Sequence, residues 1–204
     1  MRRSSDHHQL TNAHVPQSMG KVLTQPPIVV DAEILSACGR SGIPDEPVFV
    51  QITPDPAARV NKCVYNVDAA FSAGRGTAVL GWKIHIWRGV LVEFVGHAVL
   101  LSGGLLRCVT PDRYGDTKIL FATDPRLSFD LQDPMARMPT RRIASTEHED
   151  VAAFIRADEM NAIRRTHRPR PGEVLITGTD ADRFRRLERL NAAPSVISHY
   201  EPYR

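Results

Sequence analysis

Cysteine is scarce in this sequence and forms no disulfide pattern. The three cysteines, Cys38, Cys63 and Cys108, are an odd number at irregular spacing, without a Cys-x-x-Cys pair. A chain of 204 residues buries enough apolar surface to fold without disulfides. Residues 1–20 also lack the apolar segment of a secretory signal peptide. We therefore expect a reducing, cytoplasmic setting.

Long apolar runs are missing as well. The longest run extends from Val90 to Leu101 and is interrupted by Glu93 and His97. Such a segment is too short and too polar to cross a bilayer as a helix. We expect a soluble protein that has no membrane partner.

Charge of one sign is not concentrated along the chain. The net charge is only +3, whereas nucleic-acid binding needs a stripe of uncompensated basic residues. Near the C-terminus, acidic and basic residues alternate as on the solvated face of a helix. They are Asp180, Asp182, Arg183, Arg185, Arg186, Glu188 and Arg189. We do not expect nucleic acid as a partner.

Composition divides the chain into three parts. Residues 1–27 are polar and end in a proline pair, which predicts a flexible lead. Residues 28–130 alternate apolar segments with turns and are predicted to be the folded core. Residues 131–204 are predicted to form an irregular, proline-containing connection and a helical C-terminal region. The helices predicted there are Glu147–Arg165 and Ala181–Leu190.

The core is predicted to be α+β. A short strand over Ile28–Val30 opens it, followed by a helix that begins near Asp31 and ends at Gly39. A second helix is predicted over Ala57–Ala73. Two-residue periodicity and turn composition predict the strands: Val48–Ile52, Val79–Trp87, Val90–Leu101, Leu105–Thr110 and Lys118–Phe121. The last four follow the second helix as an antiparallel β-meander.

Cys63 and His97 are the candidate catalytic pair. A thiol nucleophile is activated by a helix N-terminus and a neighbouring imidazole. Cys63 lies within or at the start of the second helix, and His97 lies in a strand that a meander can bring against that helix. The spacing alone is weak evidence, because a single cysteine, and a histidine in an apolar strand, are more often core residues.

A series of short motifs strengthens this interpretation. In chain order they are Cys63-Val64-Tyr65-Asn66-Val67, Gly81-Trp82, Gly96-His97-Ala98-Val99 and Val109-Thr110-Pro111. Their order and spacing, over residues 63–121, resemble the papain-like and transglutaminase-like cysteine hydrolases. The resemblance implies a papain/transglutaminase-like core in which Cys63 is the nucleophile, His97 is the base and an acid orients His97.

The position of that acid departs from the pattern. The resemblance places it two residues before Thr110, where this sequence has Cys108. Removing the carboxylate of a Ser-His-Asp triad costs roughly four orders of magnitude in turnover. Three interpretations stay open. Asp112 or another acid substitutes, the enzyme works as a Cys63–His97 dyad, or the protein is a pseudoenzyme that binds without catalysis.

Three further side chains are candidates near this site. Gln51 lies upstream of the nucleophile and is either an oxyanion donor or a solvent-facing strand residue. Asn66 lies one turn after Cys63 and either supports the site or caps a neighbouring loop. Trp82 is either a wall of the cleft or a core residue.

No metal or cofactor is expected. Cys63, His97 and Cys108 resemble three-quarters of a zinc site with Asp112 or water as the fourth ligand, but their spacing matches no recognised zinc motif. Gly74-Arg75-Gly76 lacks the lysine and the following helix of a phosphate loop. Redox pairing of Cys63 with Cys108 is a further alternative.

The sequence therefore favours a thiol-dependent acyl-transfer enzyme whose substrate is a protein or peptide carboxamide. Peptidase, amidase or deamidase, and transglutaminase-like reactions share this chemistry, and the sequence does not separate them. The alternative is a non-catalytic binding module on a degenerate core, with a protein or nucleic-acid partner. The oligomeric state is not predicted.

Overall fold

The computed structural model describes residues 24–133 and 136–166, and within them the chain is α+β as predicted. These two ranges contain six strands and three helices. In chain order the elements are α1 (Ala32–Arg40), β1 (Val48–Ile52), α2 (Cys63–Ser72), β2 (Thr77–Trp87), β3 (Leu91–Ser102), β4 (Leu105–Cys108), β5 (Lys118–Thr123), β6 (Thr140–Ala144) and α3 (Glu149–Thr166). No helix in these two ranges is long and apolar enough to cross a membrane.

The sheet closes into a barrel. Its strand order is β2-β5-β1-β4-β3, and β2 pairs with β3 to close the circle. The β2–β3 hairpin is the longest pairing and runs from Thr77 opposite Leu101 to Trp87 opposite Leu91. β1 and β4 are parallel, whereas the other pairs are antiparallel. β6 extends the sheet by pairing with the first half of β3.

The predicted meander is only partly right. β2, β3 and β4 are consecutive antiparallel neighbours. β5 does not pair with β4 but lies between β1 and β2. The physical reason is visible in β5, where Ile119, Leu120, Phe121 and Ala122 are all at most 1% exposed. A strand that is apolar on both faces needs neighbours on both edges and cover on both faces. β5 therefore lies inside the sheet.

Each face of the barrel wall has its own core. Inside, Val50, Val99, Cys108, Ile119 and Phe121 form one buried cluster. Outside, the apolar face of α1 covers β2, β3 and β5, and α2 covers the second half of β3. α3 covers the turn between β2 and β3. Each large side chain buried in these clusters contributes roughly 1.5–3 kcal/mol, so the three helices stabilise the barrel by packing on its wall.

Four elements were predicted before β2, and two of them begin where they were predicted. α1 begins after Asp31, whose carboxylate accepts a hydrogen bond from the Ile34 amide at 3.1 Å. The strand predicted over 28–30 is wrong, because that segment bends and Ile28 is 57% exposed. β1 lies where it was predicted. The second helix begins at Cys63 and not at Ala57, since Pro54, Pro56 and the positive φ of Asn61 (61°) disfavour a helix before it.

The part of the chain after residue 130 also differs from the prediction. β6 was predicted as irregular connection, because prolines precede it and two of its five residues are arginines. It pairs with β3 all the same, and α3 lies close to the predicted 147–165. The core therefore continues past residue 130. The lead was predicted over 1–27, and its described end is not a free segment, because Gln25 pairs with Ile86 of β2. Residues 1–23 of this lead, and the predicted helix at 181–190, lie outside the described residues.

Candidate functional site

Cys63 is the first residue of α2. The preceding residue, Lys62, makes no side-chain cap bond in the described part of the chain, so the amides of the first turn present their partial positive charge to the sulfur. Burial raises the pKa of the Cys63 thiol, while the backbone amides of Ala98 and Val64 and the charge of Lys83 act to lower it. The sulfur thus lies among amide donors, beside the residue that follows His97.

Asn66 fixes the approach to this helix. Its Nδ2 donates to the Arg59 carbonyl at 2.8 Å, and its Oδ1 accepts from the Arg59 amide at 3.0 Å. The same Nδ2 donates to Thr110 Oγ1 at 3.0 Å, beyond the end of β4. A buried amide with these three partners joins the loop before Cys63 to the segment after Cys108. The two bonds to Arg59 make Asn66 a cap of the neighbouring loop, and its supporting role at the site stays a prediction.

His97 and Cys108 are in contact. His97 Nε2 lies 3.3 Å from Cys108 Sγ, and both side chains are buried, at 9% and 2% exposure. The sulfur also donates to the Thr110 carbonyl at 3.5 Å. The Phe121 ring packs edge-on to the imidazole. Cys108 therefore occupies the place beside the imidazole where the resemblance puts an acid.

The charge state of this pair follows from its burial. Burial lowers the pKa of His97 to about 3, and the nearby charges of Lys83 and His85 lower it further in the same direction. Burial also raises the pKa of the Cys108 thiol. His97 is therefore a neutral imidazole at neutral pH, and Cys108 is a neutral thiol.

Lys83 is a charged neighbour of the site that the sequence analysis missed. Gly81 lies opposite His97 in the β2–β3 pairing, so Lys83, two residues further along, is on the same face of the sheet. Its Nζ forms an ion pair with Asp112 Oδ2 at 2.9 Å. The two-residue periodicity of β2 places Gly81 and Lys83 on one face of the strand. Only the register with β3 shows that this face also carries His97.

Asp112 does not take the role of the missing acid. One of its oxygens binds Lys83, and the other accepts hydrogen bonds from the amides of Tyr114 (2.7 Å) and Asp116 (3.4 Å). Within the described ranges, Cys108 and not Asp112 contacts the imidazole. Asp112 still acts on the site at longer range, because its charge opposes the lowering of the His97 pKa.

In the described residues, Gln51 and Trp82 make no hydrogen bond to Cys63. Gln51 is exposed, and because its neighbour Ile52 is the residue that pairs with Cys108, alternation places Gln51 on the opposite face of the sheet. Trp82 is fully buried under α1, where its Nε1 donates to Asp124 Oδ2 at 2.9 Å. Of the two roles considered for each, the structure places Gln51 as a solvent-facing strand residue and Trp82 as a core residue.

The three cysteines are free thiols. In the portion of the chain that the structure describes, no group of three or more His, Cys, Asp or Glu side chains is arranged to hold a metal ion. The zinc arrangement of Cys63, His97, Cys108 and Asp112 is therefore not formed here.

No family model, curated protein or solved structure matches this chain. The chemistry of the site is accordingly argued from its own residues. The papain/transglutaminase-like core stays a prediction.

The neutral state of His97 makes stability depend on pH. The unfolded chain binds a proton on this residue near pH 6.5 and the folded chain does so only near pH 3, so acidification favours unfolding. Glu93, whose pKa is lowered to about 2, adds a slope of the same sign only below pH 4.5. Between pH 6.5 and 4.5 we expect the free energy of unfolding to fall by about 2 kcal/mol.

Urea unfolding at both pH values measures this change. His97→Gln should remove most of this pH dependence of the free energy of unfolding, because the amide does not titrate. His148→Gln, a substitution at a partly exposed histidine before α3, is the matched control and should keep it. An equal slope in wild type and His97→Gln would contradict the assignment of a neutral buried imidazole.

Proposed function

We propose that this protein is a thiol-dependent acyl-transfer enzyme that acts on a protein or peptide carboxamide, with Cys63 as nucleophile and His97 as general base. The observation that carries the proposal is the position of Cys63. It opens α2, and the backbone amide of Ala98, the residue next to His97, acts on its sulfur to lower the pKa of the thiol. Thiol catalysis requires a nucleophile that is activated by a helix N-terminus and by an imidazole, and the proposal assigns the second role to His97.

The proposed reaction has two stages. The Cys63 sulfur attacks the carbonyl carbon while its proton moves to the His97 imidazole, and the C–S bond forms as the carbonyl oxygen takes up negative charge. The backbone amides at the start of α2 are the donors for that oxyanion. The C–N bond then breaks and His97 returns the proton to the leaving amine. In the second stage, water (in hydrolysis or deamidation) or an amine (in transamidation) attacks the thioester carbon while its proton moves to His97. The C–S bond then breaks, and His97 returns the proton to the Cys63 sulfur.

The resting pair in this mechanism is neutral. Burial raises the pKa of Cys63 and lowers that of His97, so the proton moves during the attack and not before it. Lys83 supports the step, because its positive charge lowers the pKa of Cys63 and favours the thiolate that develops. Proton transfer of this kind contributes typically 10²–10⁴-fold to a rate.

The order of elements supports a papain/transglutaminase-like core as part of the proposal. The helix that carries the cysteine precedes the strand that carries the histidine, and the next strand, β4, presents Cys108 to that histidine. The motif pattern places an acid at the position of Cys108. The contact between His97 and Cys108 is the geometry expected if the pattern applies to this chain.

A non-catalytic binding module is the second candidate. The raised pKa values of Cys63 and Cys108 favour it, because neutral thiols are poor nucleophiles and Cys108 is not a carboxylate. In that case the site is a degenerate cleft that contacts a partner without chemistry.

Iodoacetamide labelling of each cysteine between pH 5 and 8, mapped by mass spectrometry, separates the two candidates. With His97 as general base, the labelling rate of Cys63 should be nearly independent of pH, because His97 stays neutral across this range. In His97→Gln the rate should instead fall about tenfold for each unit of acidification, as for an unassisted thiol.

A tenfold fall per unit in both proteins would support the binding module and contradict the enzyme. Protection of Cys63 that a chelator reverses would indicate a metal site. Cys38→Ala removes a buried cysteine in the α1 cluster and serves as the control, since it should leave the pH profile of Cys63 unchanged.

A further inference from the structure

The hydrogen bonds of Cys108 have a defined direction. In the described part of the chain its sulfur has two hydrogen-bond partners, the Thr110 carbonyl at 3.5 Å and His97 Nε2 at 3.3 Å. A carbonyl oxygen only accepts, whereas an imidazole nitrogen donates or accepts according to the tautomer. A thiol has a single hydrogen. If that hydrogen points to Thr110, the sulfur faces His97 with a lone pair, and Nε2 must carry the proton.

The opposite arrangement, in which the Cys108 thiol donates to Nε2, makes fewer hydrogen bonds. If the thiol donates to Nε2, the sulfur and the Thr110 carbonyl face each other without a hydrogen between them. Thr110 is 5% exposed, and a buried acceptor that loses its donor is costly. The arrangement with Nε2–H makes two hydrogen bonds from the same three groups, and it is therefore the more stable one.

The accepting carbonyl is itself held in place. Thr110 Oγ1 accepts from Asn66 Nδ2 at 3.0 Å, and Asn66 is anchored on α2 and on the Arg59 backbone. The Cys108 carbonyl accepts from the Thr53 amide at 2.8 Å, which fixes the backbone on the other side. These bonds join the segment from Cys108 to Thr110 to α2 and to the Thr53 backbone.

We propose that Cys108 is a positioning residue that acts as a neutral thiol and fixes the tautomer of His97, with the proton on Nε2 and the lone pair on Nδ1. Its catalytic meaning rests on the proposed function, because Nδ1 is then the nitrogen that accepts the Cys63 proton. A carboxylate at this position would both orient the imidazole and stabilise its protonated form. A thiol orients it without adding charge, so His97 stays neutral between turnovers.

Nitrogen-15 NMR on the full chain with labelled histidine tests the proposal. Long-range proton–nitrogen correlations at pH 7 distinguish an imidazole protonated on Nε2 from one protonated on Nδ1. We expect wild-type His97 to be in the Nε2–H form. In Cys108→Ala the two tautomers should mix, because no acceptor remains, and Cys108→Ser should restore the Nε2–H form, since a hydroxyl both donates and accepts.

Each outcome decides the proposal. Wild-type His97 in the Nδ1–H form overturns it, and so does a Cys108→Ala spectrum identical to wild type. Cys108→Val, which fills the site without accepting a hydrogen bond, replaces the alanine variant if that one does not fold. Cys38→Ala is the control for loss of a buried thiol and should keep the Nε2–H form.

The tautomer of His97 is measured without any substrate. A wrong prediction of the tautomer can therefore be distinguished from a wrong proposal of the function. If the Nε2–H form depends on Cys108 but the labelling of Cys63 does not depend on His97, Cys108 positions His97 and the proposed enzyme activity is wrong. If the labelling of Cys63 depends on His97 but the tautomer does not depend on Cys108, the proposed function is kept and the positioning role of Cys108 is wrong.

Discussion

Acylation by p-nitrophenyl acetate should attach one acetyl group to Cys63, and the rate should fall by roughly 10²–10⁴ in His97→Gln. The ester is activated, so its carbonyl reports on the nucleophile without the natural substrate. Cys63 lies at the start of α2 among amide donors, and its raised pKa leaves little thiolate at neutral pH. Without His97 to take the proton, attack depends on that small thiolate fraction.

Intact-mass spectrometry after short exposure at pH 7 measures the acylation, and peptide mapping locates it. Cys63→Ala should lose the adduct. Cys38→Ala should keep both the adduct and its rate, because Cys38 is buried under α1. Equal acylation of Cys38 and Cys63, or an unchanged rate in His97→Gln, would remove the basis for a catalytic pair.

The elements of the core were predictable where local patterns were strong. Burial alternates in the middle of β2 (82–86) and in the first half of β3 (92–96), and Asp31 caps α1 as its sequence position indicates. Closure of the barrel was not predictable. It depends on the parallel pairing of β1 with β4 and on the insertion of β5, which join segments far apart in the chain. Local periodicity contains no information on such partners.

The candidate site was predictable to the extent that hairpin geometry determines it. β3 and β4 are joined by a tight Gly103-Gly104 turn, so a residue of β4 was certain to approach the strand of His97. Which residue does so depends on register, and a shift of one position turns a side chain to the other face. Gln51 was assigned to the site without that information, and Lys83 was overlooked for the same reason.

Gly81→Ala should destabilise the protein by about 3 kcal/mol. A Cβ atom at this position would lie 2.2 Å from the Ala122 carbonyl oxygen and 2.5 Å from Phe121 Cζ. The nearer contact is a backbone atom of a central strand, so β2 and β5 would have to separate to accommodate the methyl group. Urea unfolding monitored by the fluorescence of the two tryptophans measures the loss.

Gly39→Ala is the matched control, because the same methyl group there meets nothing within 4 Å and the residue is exposed in α1. We expect it to stabilise the protein by up to about 1 kcal/mol through helix propensity. Equal effects of the two substitutions would contradict the close approach of β2 and β5. Since Gly81 lies opposite His97 in the β2–β3 pairing, the shift in Gly81→Ala should also slow the labelling of Cys63, and Gly39→Ala should not.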